Sequence, residues 1–523
     1  MRFSGVLLTG ALALVTLHTT IPLHAAPRHT RDEFEIEETT IARVHAAMIA
    51  GTLTCRALVD DYLARIAAYD RKGPALDALV VVNPHARDEA DALDRRFAVN
   101  GLTGPLHCVP VIVKDNFETV GLQSAAGSVA LRGFVSNKDA TVVRRMKDAG
   151  AIVLAKSNMA EFGINSLTTV SSILGTTKNP YALDRVPAGS SGGTAAAIAA
   201  NFGLVGLGTD TGSSIRGPAA HTALVGLRPT MGLTSRAGTI PLNYLSDVTG
   251  PITRTVEDAA SVLQVIAGED PDDPATAAGH ARTLSDYHAS LAGDGLRGAR
   301  IGVLAQAFDG DPVKMDDEIA RLFTRALDDM QESGAEVVRV DDIAQVSDVR
   351  GANQCRGLAY DLDEYLAKQG DRVRVHSLQE ILDSGEYLPS IQLNLLDAVN
   401  ADEQGPGSKA CRANAEYRSA VAQSLTAAMD SHGVDVLVYP TWSQPPEAVK
   451  SINPSKSGEP IMFATVTGFP AITVPMGFTH GVLPAGVSFL GRAWSEPTLL
   501  RLAYSYEQAT EHRRPPGTTP PLP

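Results

Sequence analysis

Two serine pairs and one lysine carry the chemistry of this sequence. Ser190-Ser191 and Ser213-Ser214 lie in a stretch from Pro187 to Thr230, PAGSSGGTAAAIAANFGLVGLGTDTGSSIRGPAAHTALVGLRPT, dense in Gly, Ser and Ala. Serines backed by glycines allow backbone amides to approach a ligand closely. A serine hydroxyl is a weak nucleophile and needs a base. Lys114 closes the apolar run Val109 to Val113, which reads as a strand buried on both faces. Lysine acts as a base only when neutral, and burial disfavours the charged ammonium. A second serine between base and nucleophile would relay a proton over a gap that one hydrogen bond does not span. These residue types together suggest acyl transfer. The bland alternative for Lys114 is a solvated surface charge, the usual place of a lysine.

Rival readings of the same glycines fail on spacing or context. GLGTDTG is not a dinucleotide fingerprint, because the third glycine of G-x-G-x-x-G would fall on Thr211, and no G-x-x-x-x-G-K-[ST] is present. Gly189 to Gly193 formally matches G-x-S-x-G, but that elbow needs a strand before the serine, and Tyr181 to Pro187 is turn-like. His85 and Glu89, one turn apart on a charged helix, lack the H-E-x-x-H pattern of a metal site, so no metal is expected.

The elements that must hold these residues alternate. Two amphipathic helices are expected between Glu38 and Tyr69, broken near Gly51, and a short strand at Leu79 to Val82 precedes the helix Pro84 to Phe97. A helix at Asp139 to Ala149, strands at Ala151 to Leu154, Leu204 to Leu207, Arg300 to Leu304 and Glu336 to Val340, and strand-like runs in 434–442, 469–478 and 485–491 continue the pattern. The alternation predicts an α/β fold with a large sheet. Residues 347–429 are more polar and loosely patterned, with a helical stretch at Tyr417 to Met429, and read as a lid-like insertion or a plain structural excursion. Strand-like runs on both sides of it favour one domain carrying an insertion.

On these residues the chain resembles the amidase signature family. The match rests on a strand followed by VKDN at Lys114, AGSSGG at Ser190, GTDTGSSIRGPAA at Ser214, VGLRPT after it, and TGFPAITVPMGF near the C-terminus. It covers about residues 35 to 512, and the 24-residue separation of Ser190 and Ser214 is also the family's. The resemblance implies a single large α/β domain, a mixed twisted sheet flanked by helices. It implies a triad of Ser214 as nucleophile, Ser190 as the bridging serine after a cis peptide, and Lys114 as base. The backbone amides of Thr211, Gly212, Ser213 and Ser214 would form the oxyanion hole, and Asp210, Ser191 and Arg216 would hold the loop. Two positions depart from the family's pattern: Ser213 replaces the second glycine of Gly-Gly-Ser, and Ala188 replaces the first glycine of GGSSGG. The resemblance further implies amide hydrolysis without a metal or organic cofactor, most like exported bacterial peptide amidases acting on C-terminal peptide amides. An aryl, aliphatic or fatty acylamidase is the alternative, and a non-catalytic amide-binding relative the remote one.

Composition narrows the setting. The 523 residues are 44% hydrophobic and 20% charged, ordinary for a globular enzyme. A formal net charge of −14 and the lack of any Lys/Arg run exclude a nucleic-acid partner. Residues 1–26 have the order of a secretory signal peptide: Arg2, an apolar run from Val6 to Leu17, then Ala25 and Ala26. An uncleaved anchor is the rival. Removing residues 1–26 takes away one arginine and leaves −15, with no membrane span in the mature chain and no obligate partner subunit expected. Export to the periplasm or medium permits disulfides. Cys355 and Cys411, in one polar region, are the pair expected to bridge, whereas Cys108, inside HCVPVIV, reads as a buried thiol. The tail from residue 513, ending PPGTTPPLP, reads as disordered.

Overall fold

β-Branched and small apolar residues dominate the segments that pair. They form β1 (Leu79–Val82), β2 (Pro110–Lys114), β3 (Ile152–Ser157), β4 (Val170–Ser171), β5 (Gly175–Thr176), β6 (Val205–Asp210), β7 (Val225–Arg228), β8 (Val248–Thr253), β9 (Arg300–Leu304), β10 (Glu336–Val340), β11 (Val436–Pro440), β12 (Ala471–Thr479) and β13 (Leu483–Leu490). These come from a computed structural model that describes residues 1–2, 5, 34–284, 286–304, 314–341, 343, 355, 357–401, 405, 407–450 and 462–523. Ile36–Pro523 make one compact unit. The signal-peptide expectation falls almost wholly outside the described residues.

Eleven strands form one mixed sheet in the order β1-β3-β2-β6-β8-β7-β12-β13-β11-β9-β10, and β4 pairs with β5 apart from it. The fold is therefore the expected single α/β domain. Strands β3, β2 and β6 run parallel, with Val111 opposite Val153 and Val205. Their C-terminal ends accordingly reach the same sheet edge, the edge at which ligands bind in parallel sheets. Helix Gly192–Ala199, buried along its whole length, packs on β2 and β6, while helices Val256–Ile266, Asp317–Glu332 and Glu496–Thr510 cover the far half. Among the described residues no helix is long and apolar enough to cross a membrane.

Two sequence expectations are corrected, and one central strand is new. Cys108 is not a free thiol: it is bonded to Cys55, and the Cys355–Cys411 bridge is present as well. Helix Cys55–Tyr69 packs its N-terminus against the segment leading into β2, which brings two apolar, distant sulfurs together; that proximity has no signature in sequence spacing. The proline-rich tail is docked, because Arg65 and Tyr69 donate to the carbonyls of Thr519 and Pro520 and Tyr181 donates to that of Arg514. Finally, β8, VTGPIT, is a strand that the sequence does not announce; it pairs antiparallel with β6 and places Pro251 opposite Leu207 in the middle of the sheet. Proline lacks the N–H that a central strand normally uses.

Within 347–429, helices Leu358–Gln369, Leu378–Ser384, Gln392–Val399 and Lys409–Ser431 replace the loose pattern read from the sequence. The first three bury Leu362, Leu366, Leu378 and Leu395 against Ala125, Phe134, Phe162 and Ile240.

Candidate active site

The parallel strand ends deliver the candidate residues to one place. Lys114 is the last residue of β2 and is fully buried. Its Nζ donates to Ser190 Oγ at 2.7 Å and to Thr209 Oγ1 at 2.7 Å, with Thr209 O at 3.5 Å. Both short bonds go to neutral hydroxyls. Burial therefore dominates, pushing the ammonium down to about 7, against the opposing pull of Asp247 and Asp210. Asn116 donates to the same Thr209 hydroxyl at 3.2 Å, fixing it between amide and amine.

Ser190 precedes the buried helix Gly192–Ala199, and the Gly189-Ser190 peptide is cis, a conformation almost confined to bonds before proline. The loop is held from outside by Thr169, whose hydroxyl donates to Ala188 O at 2.7 Å and accepts from Gly192 N. Ala188, where the family has glycine, has φ 61°, inside the left-handed region. Its methyl packs with Ala220 and Trp442, a contact that offsets part of the backbone strain.

Ser213 and Ser214 lie between β6 and helix Arg216–His221. The two serine loops touch: Ser191 N donates to Ser214 O at 3.3 Å, and Ser191 Oγ to Thr209 O at 3.2 Å. Asp210, the last residue of β6, is fully buried between two guanidiniums, accepting from Arg216 Nε at 3.1 Å and Arg228 Nη1 at 2.9 Å. Burial alone would raise its pKa, but the two arginines hold the carboxyl below its usual range.

That charge cluster orients the loop. Asp210 Oδ2 also accepts from Ile215 N, Arg216 Nη2 and Thr465 Oγ1 both donate to Gly212 O at 2.7 Å, and Gly217 N donates to Ser213 O. The carbonyls of Gly212, Ser213 and Ser214 are thus all tied back into the protein. In a trans peptide the following N–H points the opposite way. Among the described residues, the N–H groups of Thr211, Gly212, Ser213 and Ser214 have no protein acceptor. By the tied carbonyls, those of Ser213 and Ser214 point away from these tethers, and adjacent free donors of this kind are what an oxyanion requires. Thr211 is pinned in turn by its hydroxyl on buried Asp247, which also accepts from Leu242 N and Asn243 N at 3.0 Å.

The two serines of the second pair differ in access. Ser213 Oγ is buried with no hydrogen-bond partner, whereas Ser214 keeps 3% of its surface. Thr209, Asp247, Thr169 and Arg228 do not stand out individually in the sequence; only Arg228 has a signal there, its place in VGLRPT. Among the described residues no cluster of three or more His, Cys, Asp or Glu is placed to hold a metal ion.

The profile of the family described as Amidase matches residues 57–500. A glutamyl-tRNA(Gln) amidotransferase subunit from Prochlorococcus marinus (strain MIT 9313) is 35% identical over 488 residues, covering 90% of this chain and 97% of that one. The structure of native peptide amidase from Stenotrophomonas maltophilia superposes with a TM-score of 0.84 at 39% identity, over 92% of this chain and 99% of that one. The corresponding glutamyl-tRNA(Gln) amidotransferase subunit from Thermotoga maritima gives 0.72 at 27% identity, over 91% and 95%. The chain belongs to the amidase signature family, and it is an amidase, an enzyme acting on linear amide C–N bonds.

Proposed function

We propose that this amidase hydrolyses the C-terminal carboxamide of peptides through a covalent acyl-enzyme. Lys114 takes a proton from Ser190 while Ser190 takes one from Ser214, and Ser214 Oγ attacks the amide carbonyl carbon. The negative oxygen of the tetrahedral intermediate sits on the N–H groups of Thr211 to Ser214, each such donor contributing about 3 to 4 kcal/mol. The proton returns along the same relay to the leaving nitrogen, ammonia departs, and water attacks the acyl-enzyme by the reverse path. The single observation that carries this reading is the 2.7 Å bond from a fully buried lysine to Ser190 Oγ. Access favours Ser214 over the enclosed Ser213 as nucleophile.

Peptide amides are favoured over an amidotransferase role by the likeness to peptide amidase, 0.84 against 0.72 in TM-score. The two disulfides support an exported enzyme. The test is ammonia release by the purified chain alone from peptide amides, aryl amides and fatty amides. Peptide amides are expected to have the highest kcat/KM. Ser214→Ala and Lys114→Ala should lose at least about 10³-fold in kcat, while Ser213→Ala keeps kcat within a few-fold. Activity that survives in Ser214→Ala but not in Ser213→Ala would reverse the nucleophile assignment.

A further inference from the structure

A cavity of about 330 Å³ opens beside the catalytic loops, lined by Met231, Arg236, Tyr244, Asp361 and the Cys355 end of a disulfide, among others. Its volume is that of a small ligand pocket. Two of its walls belong to segments that brace the serine loops. Tyr244 belongs to segment 242–247, whose Asp247 pins Thr211. A side-chain carbon placed on Gly163 would lie 3.4 Å from Leu242 Cδ2 and 3.6 Å from Ser190 Oγ, so this segment and Ser190 both flank Gly163. On the other side Met231 N donates to Gly468 O at 2.9 Å, at the end of the helix whose Thr465 ties down Gly212.

The charges in the cavity are not balanced alike. Arg236 is occupied: Nε and Nη2 bind the two oxygens of Asp273, and Nη1 faces Tyr244 O and Met231 Sδ. Asp361 is 7% exposed, and only its Oδ2 is engaged, accepting from Tyr244 N at 2.8 Å. Its other oxygen has no hydrogen-bond partner among the described residues and is not among the enclosed orphan atoms of the core. Burial raises the Asp361 carboxyl to about 6, with Asp247 and Glu364 adding to the rise and Arg236 and the Tyr244 N–H opposing it. A desolvated carboxylate oxygen without a partner is costly, and a ligand cation relieves it.

We infer that this cavity is a substrate subsite in which Asp361 receives a cationic, lysine-like side chain from the acyl part of the substrate. The inference rests on the peptide-amide reading above. When the leaving group is ammonia, all remaining binding surface of the substrate lies on the acyl side, so a cavity whose walls brace the serine loops is placed to receive that side. Gly357 belongs to the same device: a Cβ there would stand 2.8 Å from Asp361 Oδ2 and push the carboxylate from its position.

The test uses N-acetyl tripeptide amides in which lysine, or norleucine in its place, is moved through the three positions, with the purified full chain. At one position lysine should be preferred by about tenfold or more in kcat/KM, mainly through KM, as expected for a hydrogen bond to a charged group. In Asp361→Asn, which keeps an acceptor for Tyr244 N, that lysine-to-norleucine ratio should fall to within about twofold of one. A ratio unchanged in the variant, with both substrates slowed alike, would assign Asp361 a structural role and overturn the subsite. Equal use of lysine and norleucine by the wild type at all three positions would overturn it without recourse to any variant, while leaving the peptide-amide reading standing. Failure to cleave any of these amides, with aryl or fatty amides cleaved instead, would overturn the peptide-amide reading and the subsite with it.

Discussion

Lys114 owes its chemistry to what surrounds its Nζ. Two hydroxyls at 2.7 Å accept from it and no ion pair holds it charged, so burial sets a pKa of about 7. The proposed relay needs the free amine. The log of kcat/KM should therefore rise with pH below 7, bend near 7 and level off above it, as read from a rate profile between pH 5 and 9. Asp247 opposes burial by favouring the ammonium. Asp247→Asn should thus lower the lysine pKa and move the bend to lower pH, besides loosening Thr211; an unmoved or raised bend would show that another group titrates. Lys114, Ser190 and Ser214 are legible in the sequence because nucleophile and base have few eligible residue types, and glycine-rich flanks mark where they sit. Thr209 and Asp247 are not, since a threonine inside GLGTDTG and an aspartate in YLSDVTG look like ordinary loop and strand-end residues until folding sets them against Lys114 and Thr211.

At the scale of elements, the proposed serine relay depends on how closely helix Gly192–Ala199 seats on the sheet. A Cβ on Gly193 would lie 2.2 Å from Asn158 O and 2.7 Å from Ala78 O, both backbone atoms at the junction of β1 and β3. Backbone there cannot yield, because Asn158 N already donates to Ala78 O at 2.7 Å. Gly193→Ala is accordingly expected to cost about 3 kcal/mol in urea unfolding and to lower kcat by displacing Ser190 one turn upstream. Full stability in that variant would mean that the helix can ride up without loss. Most strands are readable from the sequence, with β1, β9 and β10 matching residue for residue, because apolar runs bounded by turns leave little choice. β8 escapes since Pro251 argues against a central strand, and the helices of 358–399 because their polar faces outnumber the few leucines they bury.

For the molecule as a whole, the bridges tie distant chain to the catalytic edge. Cys55 opens a helix, and Cys108 stands six residues before Lys114, so their bond anchors the segment that feeds β2. The two cysteines are 53 residues apart, and closing a loop of that length removes unfolded-state entropy equivalent to about 4 kcal/mol. Both residues are fully buried, so a reductant reaches the bond only when the chain opens. Native protein in dithiothreitol should keep this bond, as read by thiol labelling, whereas Cys55→Ala/Cys108→Ala should unfold at clearly lower urea, the loss approaching that figure. The same physics bears on where the enzyme works. Chain made without residues 1–26 in a reducing cytosol would lack the bridge that an exported chain forms. The cytosolic form, which lacks the Cys355–Cys411 bridge as well, should therefore have a urea midpoint at or below that of the double variant and recover the exported form's midpoint on oxidative refolding. Equal midpoints for cytosolic and exported chain would remove the bridge as an argument for export.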